Sequence, residues 1–107
     1  MTYALALAAL AEPTRRAVFE RLRRRAMSVN EVATDVPVSR PAVSQHLKVL
    51  KQAGLVVDRA DGARRVYTID REGLVELRRW IDSLCEVPAD EAKAEAAAQD
   101  MDAADDS

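Results

Sequence analysis

The stretch "SRPAVSQHLKVLKQAGLV", residues 39–56, decides how the chain is read. Ser39 is placed to cap a helix, since its hydroxyl can accept from an amide N–H that has no partner inside the helix. Pro41 falls in the first turn, where a missing N–H costs nothing. Val43, Leu47 and Leu50 recur at helical spacing and form one apolar stripe. Gly54 supplies the left-handed residue that ends such a helix. The face opposite the stripe offers Arg40, Ser44, Gln45, Lys48 and Lys51.

Upstream, "SVNE" (28–31) sets Ser28 as an N-cap with Glu31 three residues on, a capping box. Val29, Val32, Ala33 and Val36 then share a face of a short helix. Pro37 ends it by disfavouring helical dihedrals at Val36. Before it, Tyr3, Leu7 and Leu10 mark an Ala-rich first helix, interrupted at Glu12-Pro13. A second helix, predicted to run to about Arg25, turns Val18, Phe19 and Leu22 inward and Arg15, Arg16, Arg21, Arg23 and Arg24 outward.

After Gly54 the period changes. "LVVDR" and "RRVYTI" flank "ADGA", and Asp61-Gly62 signals a hairpin. If those two residues form the loop, Arg59 faces Arg64 and Asp58 faces Arg65. The like-charged pair then asks for an anion from elsewhere. A last helix is expected from the N-cap Asp70, carrying Leu74, Leu77, Trp80, Ile81 and Leu84. The fold class is therefore mainly α with a small β-hairpin: a helix-turn-helix followed by a wing.

Charge divides the 107-residue chain. Residues 1–85 hold 15 basic against 10 acidic residues, whereas 86–107 hold one lysine against eight acids. The first segment is read as the working domain, and residues 86–107 as an acidic Ala/Asp/Glu-rich tail too poor in bulky apolar residues to order itself. An overall charge of −2 is thus no argument against a polyanionic partner. The lone Cys85 excludes an intramolecular disulfide framework and is read as a small interface residue in place of a redox switch. The N-terminal apolar run lacks a preceding cationic segment, and no window reaches the ~20 apolar residues of a membrane span. A cytoplasmic protein with no membrane partner is expected.

In a winged helix-turn-helix the second helix of the motif enters the major groove. Arg40, Ser44 and Gln45 suit base edges, Lys48 suits phosphate, and Ala42 is small enough to meet a thymine methyl. Ser39 opens this surface. His46 flanks the buried stripe, with packing and a phosphate contact both open to it. Arg59, Arg64 and Arg65 of the hairpin are placed to reach the flanking backbone or minor groove. The arginines at 15–25 are read as a solvated face, with electrostatic steering of DNA as the alternative.

The segments "LAALAEPTRRAVFERLRRR" (7–25), "SRPAVSQHLKVLKQAGLV" and "DGARRVYTI" (61–69) together resemble the ArsR family of bacterial winged-helix transcriptional repressors, over roughly residues 3–85. The resemblance implies a homodimer joined through the first and last helices, with one recognition helix and one wing on each half of a double-stranded DNA operator. The apolar stripes Tyr3/Leu7/Leu10 and Leu74/Leu77/Trp80/Ile81/Leu84 fall on those helices and are the expected dimer interface. Metal-sensing members carry two cysteines, two residues apart, where this chain has Ser28 and Asn30. Neither is a soft-metal ligand. Residues 70–85 also lack the histidines of another zinc site in the family.

The expected function is a sequence-specific DNA-binding repressor with no metal, no other cofactor and no catalytic residue. Ser39, Ser44 and His46 make no hydrolase triad, because Ser39 is a cap and no oxyanion-type Gly turn is present. Two alternatives are weighed: a metal-responsive repressor using carboxylates and His46, and a winged helix that docks protein. The latter would expose aromatic or apolar anchors, where the 40–48 face exposes polar and cationic groups.

Overall fold

The computed structural model describes residues 2–86 and 88. They form helices α1 (Thr2–Ala11), α2 (Pro13–Arg21), α3 (Val29–Asp35), α4 (Arg40–Gln52) and α5 (Arg71–Leu84), with strands β1 (Met27–Ser28), β2 (Val56–Asp61) and β3 (Arg64–Ile69). Apart from Glu86 and Pro88, the acidic tail lies outside the described residues. Among the described residues, no helix is long and apolar enough to cross a membrane.

The α1–α2 junction is a reciprocal cap. The Glu12 carboxylate accepts from the amides of Thr14 and Arg15 at 3.2 and 2.6 Å. In return, Arg15 Nε donates to the Ala9 carbonyl at 2.7 Å, and Arg16 donates to that of Leu10 at 3.0 Å. Two arginines expected on a solvated face thus close the carbonyl end of α1, whose last acceptors have no partner within the helix.

Helix α2 ends at Arg21, short of the expected Arg25. The amide of Leu22 bonds back to Phe19 and Glu20, closing the last turn. The chain must then extend, because Met27 and Ser28 pair with Tyr67 and Val66 of β3. This two-residue strand completes a sheet of order β1-β3-β2 and leaves no periodic trace in the sequence. Ser28 goes on to serve as the N-cap of α3 in a complete capping box.

The hairpin turn lies one residue further along than expected, which moves each cross-strand partner by two residues. Asp61 pairs with Arg64 and Arg59 with Val66, so the loop is Gly62-Ala63 in place of Asp61-Gly62. Only Gly62 has a positive φ, 65°, and a positive φ at the first loop position alone is what a type II′ turn requires. The shift removes the Arg59/Arg64 juxtaposition and sets a carboxylate opposite Arg64. Arg65 still meets Asp58, diagonally, at 2.7 Å.

The core is built from α2, α3, α4 and the base of the sheet, closed by Ala6 and Ala9 of α1 and Leu77 of α5. Val18, Val32, Val43, Leu47, Leu50 and Leu55 are fully buried. Helix α4 ends in a Schellman motif: the amides of Gly54 and Leu55 bond to the carbonyls of Lys51 and Leu50, with Gly54 at φ 78°. Helix α5 starts where this motif ends. The Asp70 amide donates to the Leu55 carbonyl at 2.8 Å, and Gly73 rests so close to Gly54 that a Cβ there would overlap the Gly54 carbonyl oxygen. The two terminal helices pack together, with Tyr3 and Trp80 stacked at 4.9 Å.

Candidate nucleic-acid interface

Ser39 accepts from the Ala42 amide at 3.3 Å, and Pro41 occupies the first turn of α4. The helix seats Val43, Leu47 and Leu50 in the core with no exposed surface. Sterics then leave one orientation for the rest: Arg40, Ser44, Gln45 and Lys48 are exposed along the opposite side, and Ala42 is half-buried beside them. A helix with a fully buried stripe cannot roll without emptying the core, so this polar row has a set direction.

His46 sits between the two faces, half-buried, and its Nδ1 is buried with no hydrogen-bond partner among the described residues. Its charge is among the influences holding the Glu12 carboxyl below the ordinary carboxylate range, behind the Arg15 amide. His46 therefore lies at the contact of the recognition helix with the α1–α2 junction.

The wing cations are placed by two carboxylates: Asp58, expected from sequence to meet Arg65, and Glu31, read from sequence only as part of a capping box. The Asp58 side chain is only 7% exposed and lies 2.7 Å from both Lys51 Nζ and Arg65 Nε. Those two contacts, Lys51 first, lower its pKa. Lys51, counted from sequence among the outward cations of α4, instead ties the end of that helix to β2. Glu31 does the same at the other helix of the motif. One oxygen accepts from the Ser28 amide at 3.0 Å and lies 3.3 Å from Arg64, and the other is 2.8 Å from Arg25. The Ser28 amide, then Arg25, brings the Glu31 carboxyl down to about 2. Arg64 also lies 3.3 Å from Asp61.

Arg64 and Arg65 are thus exposed but paired, and each leaves part of its guanidinium open to a phosphate. The Arg59 side chain is exposed and, among the described residues, has no hydrogen bond or ion pair. The signal for the clamps is present in the sequence as acids among wing cations, but naming their partners requires the register.

The expected dimer stripes divide. Tyr3, Leu10, Leu74 and Trp80 are partly buried against the protomer's own core, and Leu77 is 9% exposed and belongs to that core. Leu7, Ile81 and Leu84 remain exposed at 40, 46 and 56%, joined by Leu5 at 55%. Leu5 lies off the Tyr3/Leu7/Leu10 row, so its place beside them on the exposed apolar surface is not legible from sequence. Cys85 is exposed and caps the end of α5. Ser28 is engaged in the capping box, and among the described residues no group of three His, Cys, Asp or Glu lies close enough together to hold a metal ion.

The helix-turn-helix domain family matches residues 10–59, the span from the α1–α2 junction into β2. The chain is 61% identical over 74 residues to the HTH-type transcriptional regulator Rv2034 of Mycobacterium tuberculosis, covering 69% of each chain. An ArsR-like transcriptional regulator from Rhodococcus sp. RHA1 superposes with a TM-score of 0.75 at 29% identity, over 94% of this chain and 92% of that one. The homodimeric winged helix-turn-helix DNA-binding domain Mb0332 of Mycobacterium bovis, a possible ArsR-family regulator, gives 0.65 at 27% identity over 79% of each. Fold, recognition helix and wing thus define a DNA-binding transcriptional regulator of the winged helix-turn-helix class. Within that class, the chain belongs to the ArsR family.

Proposed function

We propose that this protein acts as a homodimeric repressor that reads an inverted-repeat operator and does so without a thiolate metal site. The observation that carries the reading is the exposed row Arg40, Ser44, Gln45 and Lys48 set against a fully buried stripe on α4. Arg and Gln there have the donor and acceptor geometry of guanine and adenine major-groove edges, while Lys48 supplies phosphate affinity. Arg59, Arg64 and Arg65 supply the flanking backbone contacts of the wing.

Dimerisation is supported by the exposed Leu5, Leu7, Ile81 and Leu84 on the packed pair α1 and α5, and by the homodimeric Mycobacterium bovis relative. A self-complementary patch gives an isologous pair, whose two recognition helices require a two-fold site. Selection from random duplexes followed by footprinting tests this. The expected result is an imperfect inverted repeat with half-site centres roughly 10 bp apart, one helical turn. A footprint over a single asymmetric half-site, or binding that shows no sequence preference, overturns it.

A further inference from the structure

Four arginines fall within five residues at the close of α2: Arg21, Arg23, Arg24 and Arg25. With Glu20 and Asp35 they line a surface concavity of about 550 Å³. Among the described residues, the guanidinium groups of Arg21, Arg23 and Arg24 have no ion-pair or hydrogen-bond partner, whereas those of Arg15 and Arg16 are engaged with α1 carbonyls. The volume is that of a small-ligand site, and its three unpaired guanidiniums outnumber the carboxylates of Glu20 and Asp35, so the charge balance is cationic. Guanidinium forks match the oxygens of phosphate in pairs, so a polyanion of phosphate type is the chemistry that fits.

The fourth arginine connects this concavity to the wing. Arg25 holds one oxygen of Glu31, while the other oxygen of the same carboxylate holds Arg64. We propose that the concavity binds a small phosphate-type polyanion and that its occupation draws Arg25 off Glu31. Glu31 then has Arg64 as its remaining guanidinium partner and pulls that side chain toward α3, away from a DNA phosphate. Ligand and DNA oppose each other, and by linkage each weakens the other by the same factor. The coupling rests on the DNA-binding reading above; the site itself does not.

The test titrates inorganic tripolyphosphate into the full chain without DNA, by calorimetry. A single saturable site with Kd of about 100 μM or tighter is expected. The triple variant Arg21→Gln/Arg23→Gln/Arg24→Gln changes only exposed side chains, and circular dichroism checks its fold. It should lose about tenfold or more in this affinity, while Arg40→Gln/Lys48→Gln on the recognition helix should not. In a second arm, saturating tripolyphosphate at constant ionic strength should weaken operator binding by about fivefold or more in the natural protein and leave Arg25→Gln unaffected. No saturable isotherm, or one that the recognition-helix variant abolishes and the triple variant retains, overturns the site. A triple variant with a shortened footprint and an unchanged isotherm assigns the arginines to flanking DNA instead. An operator affinity that ignores tripolyphosphate overturns the coupling, whatever the isotherm.

Discussion

The carboxylate of Asp58 on β2 lies 2.7 Å from the ammonium of Lys51, at the end of the recognition helix, and equally close to Arg65 on β3. One nearly buried acid therefore ties the end of α4 to both long strands of the wing. The contact thus couples the two elements that the proposed function places on DNA.

Replacing Asp58 by Asn separates these roles. The amide keeps the size but gives up the charge that holds two cations, and both cations are more than half exposed. A stability loss of about 1 kcal/mol or less is expected, since solvent screens such pairs. Lys51 and Arg65 become free to meet phosphate, so affinity for random duplex should rise at low salt. The log–log salt slope should steepen by about 0.9 for each extra phosphate neutralised. Salt titrations with operator and random duplex check this; an unchanged slope means the two cations are not released.

Glu31 predicts a pH dependence. Its carboxyl is lowered to about 2 from 4.5, so the stability it contributes is fully present above pH 4.5 and is lost as pH falls through about 2. Thermal unfolding of the natural protein and Glu31→Gln should therefore differ by a constant amount above pH 5 or so and converge as pH drops toward 2. Parallel Tm curves across that range would mean Glu31 is not the titrating anchor.

Gly73→Ala pits propensity against packing. Alanine in a helix interior is favoured over glycine by about 1 kcal/mol. Here the added Cβ would strike the Gly54 carbonyl at the end of α4. Overpacking of this kind costs about 1–3 kcal/mol, so a net loss of stability is expected. A Tm above that of the natural protein would show that α5 does not rest on Gly54.

The terminal helices distinguish core from interface. Leu77→Glu puts a charge into the protomer's own core and should unfold it. Leu84→Glu and Leu5→Glu alter side chains more than half exposed in the protomer. They should leave it folded while weakening self-association and, with it, operator binding. Sedimentation with footprinting checks both links; dimers that persist in both variants place the interface elsewhere.

On the recognition helix, Gln45→Ala or Arg40→Ala should cost about 1–3 kcal/mol on the operator and relax preference at one base pair. Lys48→Ala should weaken all sequences alike. Competition binding that finds operator selectivity unchanged in the Gln45 and Arg40 variants removes them from base readout.

What sequence by itself determined is local. Ser28 with Glu31, Ser39 with Pro41, the Val43/Leu47/Leu50 stripe and Gly54 each act within a few residues through caps, rotamers and dihedrals. Helices α3 and α4, their turn and the outward row of α4 are therefore legible from residue order, as is the N-cap Asp70 of α5. What only the tertiary structure decided involves partners far apart in the chain. The pairing of Met27 and Ser28 with β3 ended α2 early, because a two-residue strand exists only through the strand beside it. The choice of Gly62-Ala63 over Asp61-Gly62 moves the turn by one residue and every cross-strand partner by two, so the faces are kept while each direct neighbour changes. That shift gave Arg64 to Asp61 and left Arg59 unpaired among the described residues. Likewise, the α5 stripe reads as a single apolar row, and only packing against α1 and the core could draw Leu77 inside while leaving Ile81 and Leu84 outside. A helix presents its residues by period, but what covers each one is settled by the elements that arrive from elsewhere.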